Sequence, residues 1–449
     1  MEKYQVNSVD DITIELVMAL IDRYKTEEVP RLNRLYDYYL GDSDINYRTM
    51  TDPVKPNNKI VNPFSSLITD TIVGYAGGKP INYQSENKEL MIKIQDVLDR
   101  NHEQSHNRLL WKQQTVMGIA YELLFTKSDG TIGFEDIDPR EAFIIYDSTV
   151  EKNVLAGVRF IEIPDYINNT EKELIYIYTD ELVSVYEVAE GQSTHIDENL
   201  HVFGRVPLNQ YINNDDLQGS FEKVLTLIDA YDLAVSDTQN NLEYFADAYL
   251  AITGAEFEDD SEVATMKEDR VMLLPDGAKA EWLIKEASQE VEEFKTRLKE
   301  DIHQMSQIPN LSDESFSNSQ SGEALKYKLF GLENLVSITE GFMRESLEKR
   351  TQMIVNVFNV KSASGYDYTE VSMAFTRNLP QNLTNLADIA SKLVGIVSNE
   401  TLYTLMPFID DPAKEALRFS NEGLGAEDEF HTEINEVLED EVLLYASDE

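Results

Sequence analysis

The sequence predicts an α+β protein that is predominantly helical. Three observations carry that class. Apolar residues recur at helical spacing through roughly the first 115 residues, and again through most of the chain beyond about residue 220. Alternation of apolar and polar residues is confined to the stretch 121–207. The 449 residues are 42% hydrophobic and 10% aromatic, enough for a large core despite a net charge of −45.

The first helix carries Ile12, Leu16, Ala19 and Leu20 as its apolar stripe. Pro30 opens a second helix bearing Leu32, Leu35, Tyr36, Tyr39 and Leu40, and Gly41 stops it. Proline suits a first helical turn, and glycine the left-handed residue that closes one. A polar stretch with Pro53 and Pro56 covers 42–58. An apolar helix follows over 63–75, closed by Gly77-Gly78-Lys79-Pro80, and further helices are predicted over 88–100 and 107–120. The pattern then changes. Segments 121–125 and 132–134 flank Ser128-Asp129-Gly130, a hairpin signal. Strands are predicted over 143–146, 155–163, 174–178 and 182–188, with Thr179-Asp180-Glu181 as a tight connection, and 207–220 reads as a polar link.

From Phe221 a long helical pattern reaches residue 249, with Val224, Leu225, Ile228, Tyr231, Val235, Leu242 and Phe245 in its stripe. Gly254 stops it, and an acidic run follows at Glu256, Glu258, Asp259, Asp260 and Glu262. Segments 271–274 and 280–284 around Pro275-Asp276-Gly277 make a hairpin signature. Helix returns over 288–306, with Val291, Phe294, Leu298, Ile302 and Met305 on one face, and Pro309 ends it. Loop 310–322 is polar and contains no Lys or Arg. The longest helical pattern spans 323–360, with Gly331 and Gly341 as bend points. A short strand is predicted over 371–376 and helices over 383–397, 401–406 and 412–419. Residues 421–449 hold eleven Asp and Glu and no Lys or Arg, the composition of a like-charged tail.

Several function classes are excluded or disfavoured. The absence of cysteine rules out disulfides, thiol nucleophiles and Cys-ligated zinc. No apolar run reaches the ~18 residues of a membrane helix, so no membrane association is expected. The residues after Met1 lack the basic start and apolar stretch of a signal peptide. The acidic balance disfavours a broad nucleic-acid-gripping surface.

His102-Glu103-Gln104-Ser105-His106 has the spacing of a zinc protease, in which two His one turn apart hold the metal and the Glu is the base. Its polar neighbours Asp99, Arg100, Asn101, Asn107 and Arg108 predict a solvated segment where two helices meet. The alternative is a zinc-dependent hydrolase, with Glu122 as third ligand. Gly77-Gly78-Lys79 departs from a phosphate loop at Val73 and Pro80 and reads as a helix stop. No nucleophile elbow occurs. Asp136 with Asp138, and Asp259 with Asp260, read as solvated acids, and Trp111 and Trp282 as packing or interface anchors. No cofactor or metal is expected.

The more informative feature is two long helices (221–249, 288–306) bracketing a small acidic insert, followed by a polar loop and a longer helix. That arrangement resembles the portal proteins of tailed double-stranded DNA bacteriophages, in particular those of long flexible-tailed phages of Gram-positive hosts. The likeness is carried by Tyr38-Tyr39-Leu40-Gly41, Lys55-Pro56-Asn57-Asn58-Lys59-Ile60-Val61-Asn62, Gly74-Tyr75 with Gly78-Lys79-Pro80-Ile81, Ser312-Asp313-Glu314-Ser315-Phe316, and Ser321-Gly322-Glu323-Ala324-Leu325-Lys326, in that order.

The resemblance implies a portal-type fold with wing, stem, clip and crown, assembling as a ring of about twelve subunits. The wing would be 1–220 and 323–379, the stem 221–249 and 288–308, the clip 250–287, the tunnel loop 309–322, and the crown 380–449 with the acidic tail. Asn310, Ser312, Asp313, Glu314, Ser315, Phe316, Ser317, Asn318 and Gln320 would face DNA, and Lys326 and Lys328 are candidate phosphate contacts. Glu258, Asp259, Asp260, Asp276 and Trp282 would serve clip docking. The implied partners are further copies of the chain, a packaging terminase ATPase, a head-completion adaptor, capsid and scaffold proteins, and double-stranded DNA passing without sequence specificity. The implied place is a virion vertex after assembly in the host cytoplasm, with no enzymatic activity. A different minor head or adaptor protein of the virion is the remaining reading.

Overall fold

The computed structural model describes residues 4–51, 55–165, 170–189, 191–246, 249–253, 279–283, 289–310, 327–378, 391–404, 406, 409, 415–416 and 418–420. The chain divides into two compact units, 1–378 and 379–449.

In the first unit, Thr13 caps helix α1 (Ile14–Glu27) by accepting the Leu16 amide. Its buried face is Val17, Ile21 and Tyr24. The predicted stripe was one position off, about 100° round the helix: Ala19 is exposed and Leu16 and Leu20 are half-buried. Tyr24 decides the face, because its ring packs against Phe143 and Phe160 while its hydroxyl donates to the Pro139 carbonyl at 2.6 Å. Helix α2 (Val29–Leu40) buries Leu32, Leu35 and Tyr38, leaves Leu40 exposed, and ends at Gly41 with φ of 82°. Helices α3 (Phe64–Ala76) and α4 (Lys88–Arg100) follow as predicted. Helix α5 (Glu103–Met117) begins four residues before the predicted Asn107. It stops at Gly118, φ 84°, where a Cβ would sit 2.0 Å from the Leu217 carbonyl oxygen.

The strands are β1 (Tyr4–Val6), β2 (Asn82–Gln84), β3 (Ile119–Thr126), β4 (Ile132–Ile137), β5 (Ala142–Asp147), β6 (Val154–Asp165), β7 (Thr170–Tyr178), β8 (Leu182–Ala189), β9 (Gln192–Leu200), β10 (Leu208–Ile212), β11 (Tyr249–Thr253), β12 (Lys279–Leu283) and β13 (Ser372–Ala374). A six-stranded sheet has the order β1-β5-β6-β7-β8-β9, antiparallel except for the β1–β5 pair. A three-stranded sheet has the order β10-β3-β4, and β13 pairs with β2. The polar link over 207–220 is thus a correction: its first part is β10, with Leu208, Asn209 and Tyr211 buried.

Helix α6 (Leu225–Ala246) is shorter than predicted. Residue 249, the predicted last residue of that helix, instead opens β11 (Tyr-Leu-Ala-Ile-Thr), which pairs with β12. Aromatic and β-branched side chains suit a strand better than a helix end. The predicted strand 271–274 and its Pro275-Asp276-Gly277 turn lie outside the described residues. Helix α7 (Gln289–Met305) packs on α6. Of its predicted apolar face only Leu298 and Ile302 are buried; Val291, Phe294 and Met305 are exposed. Helix α8 (Phe330–Ser362) is the longest, and it runs through Gly341. The core of this unit lies between α2, α3, α5, α8 and the two larger sheets, around Trp111, Tyr121, Tyr211, Phe143 and Phe221. In the second unit the described part includes helix α9 (Asn399–Thr404), with Leu402 buried. The predicted helix 383–397 falls mostly outside the described residues, and residues 394–397 form a turn around Gly395, φ 79°. The tail 421–449 also lies outside them.

Candidate channel segment and its anchorage

Of the residues expected to face DNA, Asn310 is described, and Ser312, Asp313, Glu314, Ser315, Phe316, Ser317, Asn318, Gln320 and Lys326 lie outside the described residues. So do Glu258, Asp259, Asp260 and Asp276. Trp282 lies in β12 opposite Leu250. Lys328 is half-buried in the helical turn before α8. What the structure displays is the frame that carries these segments.

The start of the loop is tied down. Ile308, 2% exposed, closes the end of α7 with its amide on the His303 carbonyl at 3.1 Å. Burial lowers the His303 pKa, and the ring packs edge-on to Phe64. Phe64, Leu67, Tyr231, Lys299, His303 and Pro309 line a cavity of about 500 Å³ beside it.

Helix α6 is held by a ladder. Segment 58–62 runs antiparallel to it. The amides of Asn62, Ile60 and Asn58 donate to Asp232 Oδ1 at 2.9 Å, Ser236 Oγ at 2.9 Å and Asn240 Oδ1 at 2.7 Å. Every second residue of an extended chain advances about 6.6 Å, and every fourth residue of a helix about 6.0 Å, so the two repeats run nearly in step. Asn62 and Asn58 each add a side-chain bond to the same acceptor, and Ser43 Oγ donates to Asp232 Oδ2 at 3.1 Å. Burial raises the Asp232 pKa against these bonds. This ladder gives the Lys55–Asn62 string a structural role.

Helix α8 is held by a buried ion cluster. Glu122 of β3 is fully buried. His106 Nε2 of α5 lies 2.7 Å from its Oε1. Tyr211 of β10 donates to Oε2 at 2.7 Å, and Arg350 of α8 donates through Nε at 3.0 Å and pairs through Nη2 at 2.6 Å. The remaining guanidinium nitrogen lies 3.6 Å from Glu103, and the Phe134 ring takes the flat face at 4.7 Å. Glu103 accepts from Tyr83 at 2.7 Å and from Asn107. Burial pushes Glu122 up, but Arg350 and His106 outweigh it and hold it at about 2. Burial raises Glu103 against the opposing pull of Arg350.

The start of α8 is tied as well. Arg377 pairs with Glu333 at 2.9 Å and Glu340 at 2.6 Å, and Tyr75 donates to Glu333 at 2.6 Å. Next to it Gly78 admits no side chain: a Cβ would meet the Gly74 carbonyl at 2.3 Å, while Asn378 bonds the α3 carbonyls of Gly74 and Tyr75. Gly78 is therefore a packing glycine just past the end of α3.

The His-Glu-x-x-His segment is corrected by this geometry. It begins at a helix junction, with His102 the α5 cap at φ 51°, but Glu103 and His106 are buried, not solvated. Their partners come from β2, β3 and α8. Among the described residues no group of three or more His, Asp or Glu could hold a metal ion. Asp136 accepts from Gln113, Asp138 pairs with Arg140, and Trp111 is buried as a packing anchor. The anchoring residues Asp232, Ser236, Asn240 and Arg350 were not among the sequence candidates. Asp232, Ser236 and Asn240 carried one signal, polar residues at intervals of four along one helix, and Arg350 carried none.

Polar side chains thus fix α6 against segment 58–62, and α8 against α5, β3 and β10. Residues 19–428 match the family described as phage portal protein, SPP1 Gp6-like, and the chain belongs to that family. It is 23% identical to the portal protein of Bacillus phage SPP1 over 440 residues, covering 91% of this chain and 86% of that one. It is 24% identical to the portal protein of Clostridium phage phiCD119 over 432 residues, covering 89% and 93%. A chain of the virion of a native gene transfer agent particle matches with 12% identity and a TM-score of 0.46, over 84% of this chain and 93% of that one.

Proposed function

We propose that this portal protein works as one wedge of a ring of about twelve copies around a DNA channel at a capsid vertex. The match to the portal family over residues 19–428 carries the reading. In it, residues 1–220 and 323–379 form the wing, 221–249 and 288–308 the stem, 250–287 the clip, 309–322 the tunnel loop and 380–449 the crown. The clip receives the packaging ATPase and later the head-completion adaptor, and capsid and scaffold proteins contact the outer parts. The chain supplies position and passage, and the chemistry of packaging belongs to the ATPase. Assembly takes place in the host cytoplasm.

Two features support the assembly. Leu233 and Leu242 of α6, with Val291, Phe294 and Met305 of α7, are exposed in the single chain. Neighbouring copies would cover these side chains, of which Val291, Phe294 and Met305 share one side of α7, since exposed apolar patches on soluble proteins mark contacts. The net charge of −45 supports the channel. Duplex DNA carries about one negative charge per 1.7 Å, and an acidic wall repels it within a screening length of about 8 Å, so DNA slides instead of adhering. Purified protein is expected to run as rings of about twelve subunits by light scattering and electron microscopy. A compact monomer at every salt concentration would remove the reading.

The tunnel loop has acids and no cation. Replacing Asp313 and Glu314 by Lys is expected to slow DNA movement in packaging and ejection assays, with ring assembly intact, because the new cations would pair with phosphate. Normal packaging and ejection by the double variant would dismiss a non-adhesive loop.

A further inference from the structure

We propose that the outer edge of β9 receives an extended, lysine- or arginine-bearing segment of a partner protein as a seventh strand of the large sheet. The two edges of that sheet differ. The edge at β1 is three residues long among the described residues, too short a stretch to template a partner. The edge at β9 is nine residues long and exposed along its whole length. Among the described residues β9 pairs only with β8. Sheets normally guard such edges with proline, lysine, bulges or very short strands. Strand β9, Gln-Ser-Thr-His-Ile-Asp-Glu-Asn-Leu, has neither proline nor lysine, and its one register shift, at Ile196, leaves 192–195 and 197–200 in regular pairing.

Charge selects the occupant. β8 and β9 carry Glu187, Asp197 and Glu198 and no Lys or Arg, and Asp180 and Glu181 precede β8. Lys172 of β7 is taken up by Glu187 at 3.1 Å. His195 packs against Tyr186 on β8, 5.0 Å between ring centroids. A second copy pairing edge to edge would bring its own acids against Asp197 and Glu198, and like charges across strands are destabilising. A strand with cations at alternate positions turns them all to one face, and on the Asp197 face, beside Glu187, they would meet carboxylates instead. Leu200, 79% exposed, lies on the other face with Glu198 and offers apolar ground for the residues between. Main-chain bonds would supply affinity and the alternating side chains selectivity, the usual division in strand addition.

The probe is a nine-residue peptide of alternating lysine and valine, titrated by calorimetry into the full chain at about 150 mM salt. Its controls are the glutamate–valine peptide and a lysine peptide N-methylated at alternate residues, which keeps its charge but cannot pair along an edge. The lysine peptide is expected to bind saturably, roughly tenfold or more tighter than either control. The exposed double substitution D197K/E198K is expected to abolish binding while leaving thermal unfolding unchanged. Equal binding of the N-methylated peptide would reduce the effect to charge adhesion and overturn the proposal, as would no binding at all. Self-association of the chain that the peptide displaces would assign the edge to a second copy and also overturn it.

Discussion

Arg350→Met is expected to destabilise the first unit by about 3–5 kcal/mol, because it leaves Glu122 charged and buried without its partner. Methionine nearly fills the volume, so the loss reports the ion pair more than a cavity. Guanidinium denaturation followed by tyrosine and tryptophan fluorescence would measure it. The double variant R350M/E122L should recover much of the loss, since an apolar pair in place of a buried ion pair is often neutral. A loss below about 1 kcal/mol for the single change would mean that water reaches the cluster. The same carboxylate sets an acid limb. With a folded pKa of about 2, below its ordinary value of 4.5, Glu122 contributes stability in full above the unfolded value. That contribution is lost as pH falls from there toward the folded value. Burial raises Glu103 and Asp232, which oppose it by favouring the fold as they protonate. E122Q should therefore flatten the acid side of the stability profile, and an unchanged acid limb would contradict this.

Asp232→Ala should cost about 1–3 kcal/mol, because it leaves the half-buried Asn62 amide and the buried Ser43 hydroxyl without an acceptor. Asp232→Asn should cost far less. The carboxyl's pKa is already raised by burial, so charge is not what the site needs, and an amide oxygen can still accept from Asn62. The pair separates an acceptor role from a charge role. Equal losses in the two variants, read by the same denaturation, would show that α6 depends on the carboxylate charge.

The fold was legible where local signals agree. Lys88–Arg100 stood out because Asn87 caps it and Leu90, Ile94, Val97 and Leu98 keep one face. β6 and β7 stood out because alternate residues, Ala156, Val158 and Phe160 in one and Ile175 and Ile177 in the other, are buried. β9 did not, because both its faces meet solvent and no alternation is required. β10 was hidden by Asn209 and Gln210, whose polar groups bond α8: Asn209 Nδ2 donates to the Ser346 carbonyl and Ser346 Oγ to the Gln210 carbonyl. The ion cluster was illegible for a different reason. Glu103 and His106 sit among polar neighbours in sequence, and what buries them comes from elsewhere: Arg350 lies 228 positions from Glu122. Polar flanks describe a helix's outer face and say nothing of a partner that arrives from the far end of the chain. Family membership was legible from a set of short strings taken together, and the Lys55–Asn62 string follows helix geometry, not chemistry.

The mismatch between the two repeats along α6 has a mechanical outcome. Each rung drifts by about 0.6 Å, so the register cannot run far before bonds stretch out of range. The next donor after Asn58 would be residue 56, a proline with no amide hydrogen to give. Asn58 instead reaches forward with its side chain to Glu243 at 2.6 Å, and there the zipper ends. A push on the β11–β12 pair that travels down α6 meets this clasp first. Asn240 and Glu243 are thus the last places, among the described contacts, where the N-terminal segment holds that end of the helix.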